Sequence, residues 1–140
     1  NKAIIEGIKD GTIDCIVTDH APHAAHEKAR EFELAPFGMT GLETSLGAVL
    51  TYLVRPGHID YDRMVELMAI RPREILRVQI KPGDVADLTI FDPEKKWVVN
   101  ADDMCSKSKN SGFLGYELIG RTSDVFVGGT LACKDGDIVE

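Results

Sequence analysis

Ile4, Ile5 and Ile8 recur at helical spacing ahead of Gly11, which predicts the end of an amphipathic helix over Lys2 to Asp10. Cys15-Ile16-Val17-Thr18 follows, a short apolar, β-branched run without polar alternation. That is the pattern of a strand buried on both faces, as in a parallel sheet. Pro22 has no N–H and pushes Ala21 extended, so regular structure ends within Asp19-His20-Ala21-Pro22-His23. Polar residues with Pro36, Gly38 and Gly41 then predict a long loop from His23 to Gly41, the kind of segment that often carries function. Leu42, Leu46, Val49, Leu50 and Leu53 predict a helix stopping at Arg55-Pro56-Gly57. Asp60 is placed to cap a second helix bearing Met64, Val65, Leu67 and Met68, and Pro72 suits the first residue of a third, short one through Ile75 and Leu76.

After Lys81-Pro82-Gly83-Asp84 the texture turns to β. Leu88-Thr89-Ile90-Phe91 and Trp97-Val98-Val99 are strand-like, and Val125-Phe126-Val127 and Thr130-Leu131-Ala132 flank Gly128-Gly129, a two-residue hairpin signal. A polar stretch, Ser106 to Gly112, lies between them. A boundary is therefore expected near Lys81: residues 1–80 as an α/β piece, residues 81–140 as a small antiparallel β unit.

Composition narrows the function classes. The chain has 140 residues, 16 Lys and Arg against 23 Asp and Glu, and a formal charge of −7. With an acidic balance and scattered cations, nucleic acid is not an expected partner. No apolar run approaches the length of a membrane span, and the start lacks the regions of a signal peptide, so a cytoplasmic protein without a membrane partner is expected. Cys15, Cys105 and Cys133 are odd in number and in no Cys-x-x-Cys arrangement, which reads as plain thiols rather than a disulfide frame or zinc site. The chain starts without Met inside a helical pattern, so it is expected to be part of a longer protein.

Candidate chemistry gathers after the predicted strand. Asp19 stands at its carboxyl end, the face on which α/β barrels build active sites, where a carboxylate can ligate a divalent metal, act as general base, or both. The same residue type in that place also serves as a turn former or cap. His23, past a rigid proline, can point into the same cleft as a contact for an anionic ligand. His20 reads as a packing or supporting histidine, His26 as a solvated loop residue and His58 as a turn residue. Phe37-Gly38 offers main-chain N–H and C=O groups that a ligand can approach closely, although a loop glycine also serves simply as a bend. Glu43 either bonds within the cleft or suits the first turn of a helix.

The constellation is more specific than its members. Asp10 to His23, with Thr18-Asp19-His20-Ala21-Pro22-His23 at its end, is followed by Glu27-Lys28, Ala35-Pro36-Phe37-Gly38, Gly41-Leu42-Glu43-Thr44, Arg71-Pro72, Ala86-Asp87-Leu88, Trp97, Ser106-Lys107-Ser108-Lys109-Asn110 and Val127-Gly128-Gly129. Over essentially the whole chain this resembles dihydroorotase of the bacterial type, within the cyclic amidohydrolase superfamily. Hydantoinases and allantoinases are similar in carrying an Asp after the last barrel strand but typically have another residue where His23 stands.

The resemblance implies a C-terminal portion of a (β/α)8 TIM-like barrel, too short for a whole one at roughly 250 residues, followed by part of a small β-sandwich. Cys15 to Thr18 would be the eighth barrel strand. Asp19 would lie at a centre of one or two zinc ions and act as general acid/base, while His23 would contact the dihydroorotate carboxylate and the main chain at Phe37 and Gly38 the pyrimidine ring. The implied reaction interconverts dihydroorotate and N-carbamoyl-aspartate in pyrimidine biosynthesis. The remaining metal ligands would lie before Asn1, so this polypeptide alone is expected to be inactive. Its expected macromolecular partners are the rest of its own barrel, a second copy, or aspartate transcarbamoylase. The alternatives to a dihydroorotase are an allantoinase or hydantoinase, and a non-catalytic dihydroorotase-like scaffold for aspartate transcarbamoylase.

Overall fold

A computed structural model describes residues 1–139. Helix α1 (Lys2–Asp10) buries Ile8 and ends at Gly11, whose φ of 86° is the left-handed C-cap that the sequence suggests. The Arg63 guanidinium donates to the Ile8 carbonyl at 2.9 and 3.1 Å and to the Ile13 carbonyl at 3.3 Å, tying the end of α1 to a later helix.

The predicted strand Cys15 to Thr18 is not formed as one. The segment has no regular secondary structure: among the described residues its Ile16 N–H donates to the Leu67 carbonyl at 3.0 Å, and Val17 is 73% exposed. A parallel strand needs neighbours on both sides to satisfy its backbone, and among the described residues the only sheet lies elsewhere. Loop 23–41 is also less irregular than expected: α2 (Ala25–Lys28) forms one turn within it.

Helix α3 (Ser45–Val49) runs on as a π-helical turn, Leu50–Val54. Helix α4 (Tyr61–Val65) is capped by Asp60, whose side chain accepts the Arg63 N–H at 2.8 Å as expected. The third helix, α5 (Arg71–Leu76), carries Pro72 in its first turn as expected, but it follows α4 without a gap through a π turn, Glu66–Ile70. Pro72 gives the reason. In the π turn the Arg71 N–H bonds the Glu66 carbonyl, so the next donor in that pattern would be Pro72, which has no N–H. The Leu67 carbonyl is thereby free for Ile16, and the interrupted helix docks the segment that leads to Asp19.

Beyond residue 81 the chain forms a four-stranded antiparallel sheet in the order β1 (Leu88–Val98), β2 (Glu117–Val127), β3 (Thr130–Lys134), β4 (Asp137–Ile138). The two strand-like runs around Pro93 belong to one strand, with the register broken between Asp92 and Lys96. Gly128 and Gly129 both have positive φ, 57° and 80°, as a hairpin turn of the expected kind requires. A second such turn, Asp135-Gly136, joins β3 to β4 and was legible from the same signal.

The core is Ile8, Val49, Leu50, Ile59, Met64 and Leu67, onto which Ile13, Ile16 and, from the sheet, Phe91 pack. Sheet and helix meet closely at Gly47 and Gly120. A Cβ on Gly47 would stand 3.2 Å from the Gly120 carbonyl, and one on Gly120 only 2.1 Å from Leu50 Cδ1.

Glu66 is hydrogen-bonded by Arg63 and also paired with Arg71, which holds its carboxyl below the usual carboxylate range. A depressed folded-state pKa contributes stability above the unfolded value that is lost as pH falls through the folded value. Glu66→Gln is therefore expected to be less stable than the parent at neutral pH and equal to it in strong acid, as urea unfolding across that range would register.

Candidate active site

Asp19 sits on the turn that leaves segment 15–18, exposed and with φ of 44°, a left-handed conformation that Asp tolerates better than most residues. Its carboxylate has no hydrogen-bond partner among the described residues and is open to a ligand. The backbone on its far side is fixed. His20 Nδ1 accepts the Gly41 N–H at 3.1 Å and the Leu42 N–H at 3.4 Å, so this nitrogen carries no hydrogen and the ring anchors the start of α3. His20 also forms a parallel bridge with Met39, and the Ala21 N–H donates to the Met39 carbonyl at 2.9 Å. The supporting role expected of His20 is what its contacts describe.

His23 is half-buried. Its Nε2 lies 3.0 Å from the Phe37 carbonyl, to which it donates, and its Nδ1 lies 4.0 Å from Glu27 Oε2. That carboxylate also takes the Ala24 N–H at 3.0 Å, at the start of α2. The structure thus brings His23 and Phe37 together across the loop, with the Phe37 ring 87% exposed. Gly38 next to it has φ of 91°, and a Cβ there would stand 2.6 Å from the Ala21 Cβ, so the close approach of the two loop limbs requires glycine. Lys28 Nζ bonds the Pro36 and Gly38 carbonyls at 2.9 and 3.1 Å, which sets the curvature of the returning limb.

Glu43 lines a cavity between the start of the helix and the sheet, and its carboxylate is committed to main-chain amides. Its two carboxylate oxygens accept the Cys105 and Ser106 N–H groups at 2.8 and 3.0 Å, fastening the polar stretch before β2 to the start of the helix. His26 is exposed, outside the group formed by Asp19, His20 and His23.

Sequence reasoning assigned no role to Ser108 and Asn110. Both reach across from the polar stretch onto the loop: the Ser108 hydroxyl meets the His23 main chain, and Asn110 Nδ2 donates to the Ala21 carbonyl at 3.0 Å. The available signal was the Ser106-Lys107-Ser108-Lys109-Asn110 run, which counts toward the resemblance but assigns its members no role.

As a metal centre these residues are insufficient by themselves. Asp19 supplies one carboxylate, and among the described residues no group of three or more His, Cys, Asp or Glu side chains gathers, whereas a stable site needs about three protein ligands. No helix of the described residues is long and apolar enough to cross a membrane.

No family model matches the chain. It is 45% identical over 137 residues to the dihydroorotase of Acetivibrio thermocellus, covering 96% of this chain and 32% of that protein. It is 48% identical over 135 residues to the dihydroorotase of Geobacter metallireducens, covering 94% of this chain and 32% of that protein. The solved structure of L-hydantoinase (dihydropyrimidinase) from Arthrobacter aurescens superposes with a TM-score of 0.91 at 30% identity, covering 100% of this chain and 33% of that one. The chain spans about a third of the length of the curated relatives it matches. By sequence the chain is similar to dihydroorotases, and by fold it matches part of a TIM-barrel amidohydrolase, a likeness that extends over about a third of each relative.

Proposed function

We propose that the full-length protein carrying these residues is a dihydroorotase, interconverting dihydroorotate and N-carbamoyl-aspartate in cytoplasmic pyrimidine biosynthesis. The observation that carries this is an exposed Asp19 carboxylate, without a hydrogen-bond partner among the described residues, on a backbone pinned by His20, within a sequence 45% identical over its matched length to a dihydroorotase. In ring opening, Asp19 takes a proton from the attacking water as its oxygen bonds the amide carbon. It then delivers that proton to the amide nitrogen as the C–N bond breaks. The reverse order closes the ring. Zinc, one or two ions, is the metal of this proposal, with its remaining ligands supplied from outside these residues.

His23 binds the substrate carboxylate. With Nε2–H committed to the Phe37 carbonyl, the imidazole offers a second donor, at Nδ1, only as the cation. The Phe37 and Gly38 main chain lies beside it for the ring amide. In the full-length protein, His23→Ala is expected to raise KM for dihydroorotate by about 10-fold or more, the worth of one charge-assisted hydrogen bond. Its effect on hydantoin, which has no such carboxylate, should be smaller; equal effects on both would contradict the role. The 140-residue polypeptide alone, with zinc added, is expected to show no ring-opening turnover. Ile4 and Val17 are 57% and 73% exposed, and this apolar face is where the rest of the barrel, or a second copy, would pack.

A further inference from the structure

Asn110 touches the active-site loop at four points that lie on both of its limbs. On the outgoing limb, Nδ2 donates to the Ala21 carbonyl at 3.0 Å and Oδ1 accepts the His23 N–H at 3.3 Å. On the returning limb, Nδ2 lies 3.4 Å from the Gly38 carbonyl, and the Asn110 carbonyl accepts the Thr40 N–H at 3.2 Å. Ser108 reinforces the first limb: its hydroxyl accepts the same His23 N–H at 3.2 Å, while its own proton lies between the His23 carbonyl and Asn110 Oδ1. The bridging stretch is itself immobilised at its start by Glu43 and by Lys109 Nζ, which donates to the Met104 carbonyl at 2.6 Å.

Two functions of the loop are thus held by different residues. The backbone beyond Asp19 is held by His20 on the Gly41 and Leu42 amides, whereas the main chain of His23 and that of Gly38 are bridged by Asn110, beside the direct bond from the His23 ring to the Phe37 carbonyl. We propose that Asn110 is a positioning residue for substrate recognition, holding the His23 imidazole and the Phe37-Gly38 main chain at the separation one ligand needs to meet both. The proposal rests on the dihydroorotase reading for the identity of that ligand. A residue that merely braced the fold would act on kcat, KM and stability together, whereas one that sets the distance between two binding groups acts on KM.

The test is Asn110→Asp in the full-length enzyme, which keeps the Oδ1 acceptor but turns an oxygen toward the Ala21 and Gly38 carbonyls in place of the donor. KM for dihydroorotate is expected to rise by about 10-fold or more with kcat within about threefold of the parent, the mark of lost binding rather than lost chemistry. The Ala21 and Thr40 amides, whose bonds depend on the two limbs staying in place, should exchange their hydrogens faster, with the exchange of β2 unchanged. Ser108→Ala should raise KM in the same sense and Ser108→Thr, which keeps the hydroxyl, should restore it. A KM unchanged in Asn110→Asp, or kcat and KM disturbed together with faster exchange throughout β2, would overturn the proposal. If Asn110→Asp does not fold, the Ser108 pair decides by the same criteria. If the parent enzyme does not turn over dihydroorotate, the functional reading fails separately. Exchange at Ala21 and Thr40 then decides the positioning role: selective acceleration upholds it and no acceleration overturns it.

Discussion

Asp19→Asn in the full-length protein is expected to lower kcat for dihydroorotate ring opening by about 10²–10⁴-fold, the usual worth of a positioned general acid/base. The substitution keeps the backbone while removing the acid/base, and zinc content is measured beside kcat because the same carboxylate is a metal ligand in the proposal. Asparagine matches aspartate in size and is among the few residues that accept the left-handed φ of 44° found here, so the turn should keep its shape. With no hydrogen-bond partner among the described residues, Asp19 leaves no neighbour unpaired when its charge is removed. The thermal midpoint should therefore stay near that of the parent while turnover collapses. Asp19→Val would mix the loss of the acid/base with backbone strain at a β-branched residue and would be harder to interpret. A kcat reduced less than about fivefold, well below the range for general acid/base catalysis, would remove Asp19 from the proton path.

Gly120→Ala carries the largest expected effect on stability. The residue is buried at φ of 93°, its added Cβ would stand 2.1 Å from Leu50 Cδ1, and its carbonyl accepts the Trp97 Nε1–H at 3.0 Å. Overpacking and a left-handed alanine together should cost about 2–5 kcal/mol in denaturant unfolding. The two parts can be separated, because Leu50→Ala removes the atom that would be struck. In the Leu50→Ala background, Gly120→Ala should cost only about 1–2 kcal/mol, the backbone share. A full-sized cost in that background would show that the clash is not the cause. Gly47, pressed against Gly120 and Leu118 from the helix side, explains why this junction carries two glycines.

Local signals in the sequence fared according to how much of their cause was local. Gly11, Asp60 and Gly128-Gly129 act through their own dihedrals or a neighbouring amide, and each does what its residue type suggests. Pro72 was recognised as a helix-start residue, yet its consequence depends on a π turn and on Ile16, some 56 residues earlier, so a continuous helix replaces the expected break. Cys15 to Thr18 has the composition of a buried strand, but a strand exists only with partners, and among the described residues it has none. At the candidate site, Asp19 to His23 was legible as a polar cluster after the apolar run, and the close approach of Gly38 to Ala21 was legible from glycine. The Asn110 bridge was not, because contacts between residues 87 to 89 apart leave no periodic trace in a single sequence. Glu43 was legible as a charged residue at the start of a helix, but not as the acceptor for two amides of a distant segment.

The proposed function joins an exposed acid on a pinned backbone to similarity with dihydroorotases and a hydantoinase, and substrate is where the alternatives part. Purified full-length protein carrying these residues should therefore be given dihydroorotate, hydantoin and allantoin in parallel, with ring opening followed for each. Turnover of dihydroorotate at a kcat/KM well above that of the other two is the expected result. Preference for hydantoin or allantoin, or no turnover of any of the three by a folded, zinc-supplied protein, would contradict it.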